Sequence, residues 1–226
     1  RRRDPGGSGV QNAPVGPASE HRSPSAVALL SGGLDSAVAA ASVAAEGGTL
    51  HALSVDYGQR CRAELDAARA VATALGAATH RVVAVDLRAL GGSALTADLE
   101  VPRDRTDEAI GAGVPVTYVP ARNTVLLALC LGLAEVEGAS ELVIGANALD
   151  YSGYPDCRGP FLRAFEGLAN VATAAATEGR LRFRVRAPLL EMSKADIVRT
   201  GTRLGVPLGL TMSCYAPVPA GGAAVR

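Results

Sequence analysis

The sequence predicts an open α/β fold, a parallel sheet of about five strands with helices on both faces. Three observations carry this. From Ala26 onward, short apolar runs alternate with Ala-rich stretches of helical length, the pattern of strand-helix-strand units. Several of those stretches end on glycine, the residue that most easily takes the left-handed backbone closing a helix. And 226 residues, 48% of them hydrophobic, can bury a core without disulfide staples.

In order, strands are expected at Val27–Leu30, Leu50–Val55, His80–Val85, Glu141–Ile144 and Arg182–Val185. Helices are expected at Asp35–Glu46, Arg62–Leu75, Asn123–Glu137, Gly159–Ala176 and Ser193–Leu204, with Gly47, Gly76, Gly138 and Gly205 as stops. Gly91–Tyr118 has neither period and reads as a long loop. Residues 1–25, with Pro5, Pro14, Pro17, Pro24 and four glycines, read as a disordered leader. Residues 26–215 form a single domain, and 216–226 an irregular tail. The chain begins without methionine, which suggests a fragment, a processed form or a misassigned start.

Twenty-two Lys+Arg balance 22 Asp+Glu, so no net charge draws the chain to nucleic acid or to a membrane surface. No apolar run is long enough for a membrane helix, and Arg1-Arg2-Arg3 is followed by Asp4-Pro5-Gly6-Gly7 rather than by the apolar core of a signal peptide. Cys61, Cys130, Cys157 and Cys214 form no CxxC pair, which fits neither a disulfide scaffold nor a self-contained zinc module. A reduced, cytoplasmic protein is expected. His21, His51 and His80 stand in the leader and at two strand starts and receive no role.

The strongest motif is Val27-Ala28-Leu29-Leu30-Ser31-Gly32-Gly33-Leu34-Asp35-Ser36, an apolar strand turning through two glycines into a helix. Glycines permit the tight turn, successive amides form an anion nest, and the helix N-terminus and the Ser31 and Ser36 hydroxyls add to it. This is a phosphate or pyrophosphate cradle. Asp35 within it is unfavourable unless it meets Mg2+ or orients a donor, which points to a metal-bound nucleotide. A capped strand-to-helix junction is the plainer alternative. SGGLDS after a buried strand resembles the PP-loop of the ATP pyrophosphatase family, whose members cleave ATP between the α and β phosphates to adenylate a carbonyl oxygen.

Four further segments narrow the resemblance: Ser54 to Arg60 with Arg62-Ala63-Glu64-Leu65; Tyr118 to Asn123; Gly145 to Arg158; and Ala187-Pro188-Leu189 with Ser193-Lys194-Ala195-Asp196. Together they resemble the 7-cyano-7-deazaguanine synthases of queuosine precursor synthesis over Ala26 to Tyr215. The resemblance implies an adenine nucleotide alpha hydrolase-like, Rossmann-like fold, and an ATP site made of Leu30, Ser31, Gly32, Gly33, Leu34, Asp35, Ser36, Asp56, Tyr57, Gln59, Arg60, Arg122 and Asn123. Asp35, Ser36 and Lys194 would be catalytic, Lys194 facing the developing pyrophosphate. Tyr151, Ser152, Tyr154, Asp156 and Arg158 would frame the deazapurine, while Asn123 could cap its own helix.

The implied reaction joins ammonia to 7-carboxy-7-deazaguanine through adenylated intermediates, using ATP and Mg2+, in a possible homodimer. Two other readings stay open: a different PP-loop adenylating ligase, or an inactive nucleotide-binding remnant. The family also implies a structural Zn2+ held by a Cys in an [ST]CY segment and a later CxxCxxC run. Cys214 matches the first ligand, but the following residues supply no such run. One thiolate cannot hold a tetrahedral zinc. This predicts a loosened segment from Gly205 onward and suggests a truncated or frameshifted end.

Overall fold

A computed structural model of the chain describes residues 24–58, 63–91, 118–147 and 153–212. Strands β1 (Ser25–Leu29), β2 (Thr49–Asp56), β3 (Thr79–Ala84), β4 (Glu141–Val143) and β5 (Arg184–Arg186) form one sheet in the order β3-β2-β1-β4-β5. Every pairing is parallel. The chain lays β1, β2 and β3 outward in one direction, then returns to place β4 on the other flank of β1. The order therefore reverses between β1 and β4, where such folds open a crevice at the carboxyl ends of the strands.

Helices α1 (Leu34–Ala44), α2 (Ala63–Ala74), α3 (Arg122–Glu137), α4 (Gly159–Ala172), α5 (Ala174–Thr177) and α6 (Lys194–Arg203) cover both faces. Successive strand residues face opposite sides, and the two cores follow that alternation. Val27, Leu29, Leu53 and Val55 pack with Leu127, Leu131, Leu162 and Phe165 of α3 and α4. Ala26, Ala28, Leu30, Leu50 and Ala52 pack with Val38, Val71 and Ile197 of α1, α2 and α6. The sheet is thus buried on both sides, which is why its central strands read as continuous apolar runs.

The expected elements are all present within a few residues of their bounds, with one correction. The helix expected over Gly159–Ala176 breaks at Thr173, whose backbone is extended and whose hydroxyl donates to the Ala169 carbonyl at 2.9 Å. A new short helix follows, and Glu135 accepts from the Ala175 N–H at 2.8 Å. Gly47, Gly76, Gly138 and Gly205 all have positive φ, as the stops require.

α1 is almost wholly small residues, and that composition has a purpose in the packing. Gly201 of α6 sits where a Cβ would press on Val38 of α1, so the two helices approach closely. A capping box joins Ser193 and Asp196 at the start of α6. The segment expected to loosen from Gly205 onward is described as far as Met212. Val206 is buried, and the Met212 N–H donates to the Gly32 carbonyl at 2.8 Å. No described helix is long and apolar enough to cross a membrane.

Candidate active site

β1 ends where the sheet order reverses, so the residues after it open directly into the crevice. Gly32 has φ of +85°, a conformation that glycine adopts at little cost. A Cβ there would also collide with the Glu64 carbonyl and crowd the Ala68 amide of α2. Gly145, just after β4, lies equally close to the backbone of Asp35 and Ser36. The loop is therefore clamped between α2 and the end of β4, and only glycine fits at the two contact points.

Within the loop the polar groups satisfy one another. Ser36 Oγ donates to the Gly33 carbonyl at 3.0 Å and accepts from the Ser31 N–H at 3.2 Å, while the Ser31 and Ser36 hydroxyls are 3.0 Å apart. The N-cap of α1 is Gly33, which has no side chain to supply a cap. The positive dipole end of α1 is at the crevice, a setting suited to an anion. Asp35 is held by Lys194, whose Nζ donates to Oδ1 at 2.9 Å and Oδ2 at 2.7 Å.

These residues border a cavity of about 350 Å³. Leu30, Ser31, Gly33, Leu34, Asp35, Ser36, Tyr57, Arg122, Asn123, Tyr154 and Lys194 line it, bringing together segments from five places in the sequence. Its walls are apolar, through Leu29, Leu53, Val55, Leu65, Leu126 and Ile144. A cavity of apolar walls with a few convergent polar groups is the form of a small-molecule site.

Some expected residues are placed elsewhere. Asp56 lies beyond the main cavity, in a second hollow with Gly58, Asp86 and Arg88, and its Oδ1 accepts from the Gly58 N–H at 3.1 Å. Asn123 does not cap its own helix: the N-cap is Ala121, with a left-handed backbone and no side-chain cap bond. The cap comes instead from Asp156, whose Oδ2 accepts the Asn123 N–H at 3.0 Å. The Asn123 amide returns the contact, donating to the Asp156 carbonyl at 3.0 Å and to Cys157 Sγ at 3.2 Å. Asp156 is 5% exposed and is not among the described residues lining the cavity; its described contacts are those to Asn123. Arg158 is also absent from the lining. Gln59, Arg60, Tyr151, Ser152 and Cys214 lie outside the described residues.

Sequence reasoning assigned no role in the site to Glu64, Asn147, Cys157 or Met212, all of which line the cavity. Asn147 is fully buried and its amide donates to the Met192 carbonyl at 2.7 Å, fixing the approach to Lys194. Burial pushes the Glu64 carboxyl up from its ordinary value against the lowering influence of Arg122. Burial, then the Asp156 charge, raises the Cys157 thiol to about 11.

For zinc, the described residues do not fit. Cys130 is buried with its thiol donating to the Val27 carbonyl at 3.4 Å, and Cys157 is held by Asn123. Among the described residues no three His, Cys, Asp or Glu side chains cluster as a metal site.

A two-glycine loop between a buried parallel strand and an uncapped helix, at the switch point of a 3-2-1-4-5 sheet, defines an α/β nucleotide-binding protein of the PP-loop ATP pyrophosphatase class. The fold is shared with a solved structure, a predicted subunit of tRNA methyltransferase from Methanocaldococcus jannaschii DSM, at TM-score 0.50 and 18% identity, covering 79% of this chain and 74% of that one. The chain belongs to the family described as "Queuosine biosynthesis protein QueC", which matches residues 25–223. It is 63% identical over 190 residues to the 7-cyano-7-deazaguanine synthase of Xanthomonas campestris pv. campestris (strain B100), covering 84% of this chain and 82% of the relative. The enzyme of that name from Anaeromyxobacter dehalogenans (strain 2CP-C) is 61% identical over 194 residues, with 85% and 82% covered. That from Myxococcus xanthus (strain DK1622) is 56% identical over 201 residues, with 89% and 87% covered.

Proposed function

We propose that this protein is an ATP-dependent carbon-nitrogen ligase that converts 7-carboxy-7-deazaguanine and ammonia to 7-cyano-7-deazaguanine. The observation that carries this reading is the high identity to synthases of that name across a chain whose phosphate loop, Arg122, Lys194 and Tyr154 meet in one cavity.

The substrate carboxylate attacks the α-phosphorus of ATP, pyrophosphate leaves, and ammonia then displaces AMP to give an amide. Adenylation of the amide oxygen by a second ATP, followed by loss of AMP, leaves the nitrile. In each adenylation negative charge develops on the departing pyrophosphate. The Gly32 and Gly33 amides, the Ser31 and Ser36 hydroxyls, Arg122 and Lys194 are the groups of this chain that would stabilise it. Tyr57 and the apolar wall of Leu29, Leu53 and Val55 suit the adenine half of the nucleotide. Tyr154, with Tyr151 and Ser152, would frame the deazapurine. The hard oxygens of Asp35 suit Mg2+ arriving on ATP, which would neutralise phosphate charge.

The test is to incubate the purified chain with ATP, Mg2+, ammonium and 7-carboxy-7-deazaguanine and to follow AMP, amide and nitrile by mass spectrometry. Nitrile with AMP is expected. Folded protein that binds ATP but releases no pyrophosphate would favour the inactive remnant instead.

A further inference from the structure

The proposed reaction needs protons removed from nitrogen twice. Ammonium must become ammonia before it can attack, and the adenylated amide must lose its nitrogen protons for the nitrile to form. Both need a base beside the reacting carbon. Among the described residues two carboxylates line the cavity, Asp35 and Glu64, and Asp35 is committed to Lys194 through both oxygens.

Glu64 stands apart from the other acids of the fold. Among the described residues, every other carboxylate that is not exposed accepts a hydrogen bond: Asp35, Asp56, Glu135, Glu137, Glu141, Asp156, Glu166 and Asp196 all do. Glu64 is half-buried and accepts none. A half-buried acceptor without a partner is unfavourable in the empty protein and becomes useful when a donor enters. Its position is also fixed, because Glu64 lies in the first turn of α2, whose backbone abuts Gly32 of the phosphate loop. The carboxylate and the cradle therefore move as one unit.

Resting on the reaction proposed above, we infer that Glu64 is the base that takes protons from nitrogen in that reaction. In the amide step the carboxylate removes a proton from ammonium; the freed lone pair attacks the acyl carbon, and the C–O bond breaks with its electron pair leaving on AMP. The attacking nitrogen then sheds one more proton to solvent. In the nitrile step the O-adenylated amide first loses one N–H proton to solvent to become a neutral imidate, and Glu64 then removes the remaining N–H proton. The N–H electron pair becomes the third C–N bond as the second C–O bond breaks toward AMP. Protonated Glu64 returns its proton to solvent between steps.

The electrical surroundings suit a weakly acidic carboxyl. Arg122 from α3 is the charge acting on it, and burial outweighs that pull, so the group sits above the ordinary carboxylate range. Among the described residues, the other titratable or charged groups bordering the cavity are Asp35 and Lys194, paired with each other, and Tyr57, Tyr154 and Cys157. On its own helix, Asp66 is exposed and paired with Arg69. Asp56, at the end of β2, is turned to the Gly58 amide. The turn at Leu208–Leu210 packed on α2 brings no titratable side chain.

The test is Glu64→Gln, followed through partial reactions by rapid quench. Pyrophosphate release without ammonium is expected to stay within about threefold of the unaltered chain, while nitrile formation falls about 100-fold, the usual span for a lost general base. The pH profile should lose its acid limb and climb steadily as the share of free ammonia grows. Pyrophosphate release falling in step with nitrile would place Glu64 in binding or folding and overturn the assignment. So would a raised KM for 7-carboxy-7-deazaguanine with kcat unchanged, or nitrile formation within a few-fold of normal. If the unaltered chain itself released no pyrophosphate with that substrate, the underlying reaction would fail first, before the variant is considered.

Discussion

Lys194 and Asp35, 159 positions apart in the chain, meet in a two-pronged ion pair at 2.9 and 2.7 Å. The contact depends on the small-residue seam between α1 and α6, where Val38 fits against Gly201. Lys194 is half exposed, and a pair of that kind contributes only about 0–1 kcal/mol to stability. Its value is positional: it keeps the ammonium group within the cavity beside the phosphate loop.

Lys194→Ala should therefore leave the melting temperature almost unchanged and lower kcat by roughly 100-fold or more, as expected when one donor to a developing anion is removed. Lys194→Arg should recover part of that loss. Calorimetry beside steady-state kinetics checks both. A melting point that collapses together with activity would put the pair in the fold rather than in the chemistry.

Gly32→Ala should act on stability and nucleotide binding together. A left-handed backbone costs a non-glycine residue about 1–2 kcal/mol, and the new methyl would strike the Glu64 carbonyl. The loop cannot yield without moving α2. Urea unfolding should show a loss of at least about 2 kcal/mol, and calorimetric titration should show ATP binding abolished. Normal ATP affinity in this variant would mean that the loop tolerates a different path.

Asp156→Ala removes the acceptor for the buried Asn123 N–H and the only side-chain cap on α3 seen among the described residues. Leaving that donor unsatisfied should cost about 1–3 kcal/mol. Asp156→Asn keeps a neutral acceptor oxygen and should recover most of the stability. Since α3 presents Arg122 from its first turn, kcat should fall in the alanine variant and return in the asparagine one. A variant of normal stability with only a raised KM would instead return Asp156 to direct contact with the deazapurine.

The strands, the helix stops and the phosphate loop were legible because each depends on neighbours in sequence. Alternation along β1 sorts Val27 and Leu29 from Ala28 and Leu30, and SGGLDS states a backbone requirement that only glycine meets. The break at Thr173 was hidden because alanines on both sides favour helix equally, and the turn is fixed by Glu135 from a distant helix. The same holds for the site. Asp156 reads as a recognition residue because its loop is polar and rigid, and its bond to the Asn123 N–H, 33 residues earlier, is a contact that the sequence could not show. Glu64 stands in the Arg62–Leu65 segment without a role of its own, since what distinguishes it is three-dimensional: among the described residues no hydrogen-bond donor meets its carboxylate.

His80 shows how a strand residue with no assigned role reaches the phosphate loop. Ser54 is buried at 1% exposure, and its hydroxyl donates to the Leu30 carbonyl at 2.6 Å. That leaves its oxygen as acceptor for His80 Nε2, 2.8 Å away, so the ring donates from Nε2. Burial, then the charge of Arg69, lowers its pKa below the ordinary histidine value. The unfolded chain consequently binds more protons than the folded one between the lowered value and about 6.5. Stability from this group is complete above that window and declines as pH falls through it. Melting curves between pH 7.5 and 5, values spanning roughly the histidine range, should show a decline that His80→Gln largely removes. An identical decline in the variant would assign the acid sensitivity to other groups and leave the His80 to Leu30 relay without a measurable part in holding the loop.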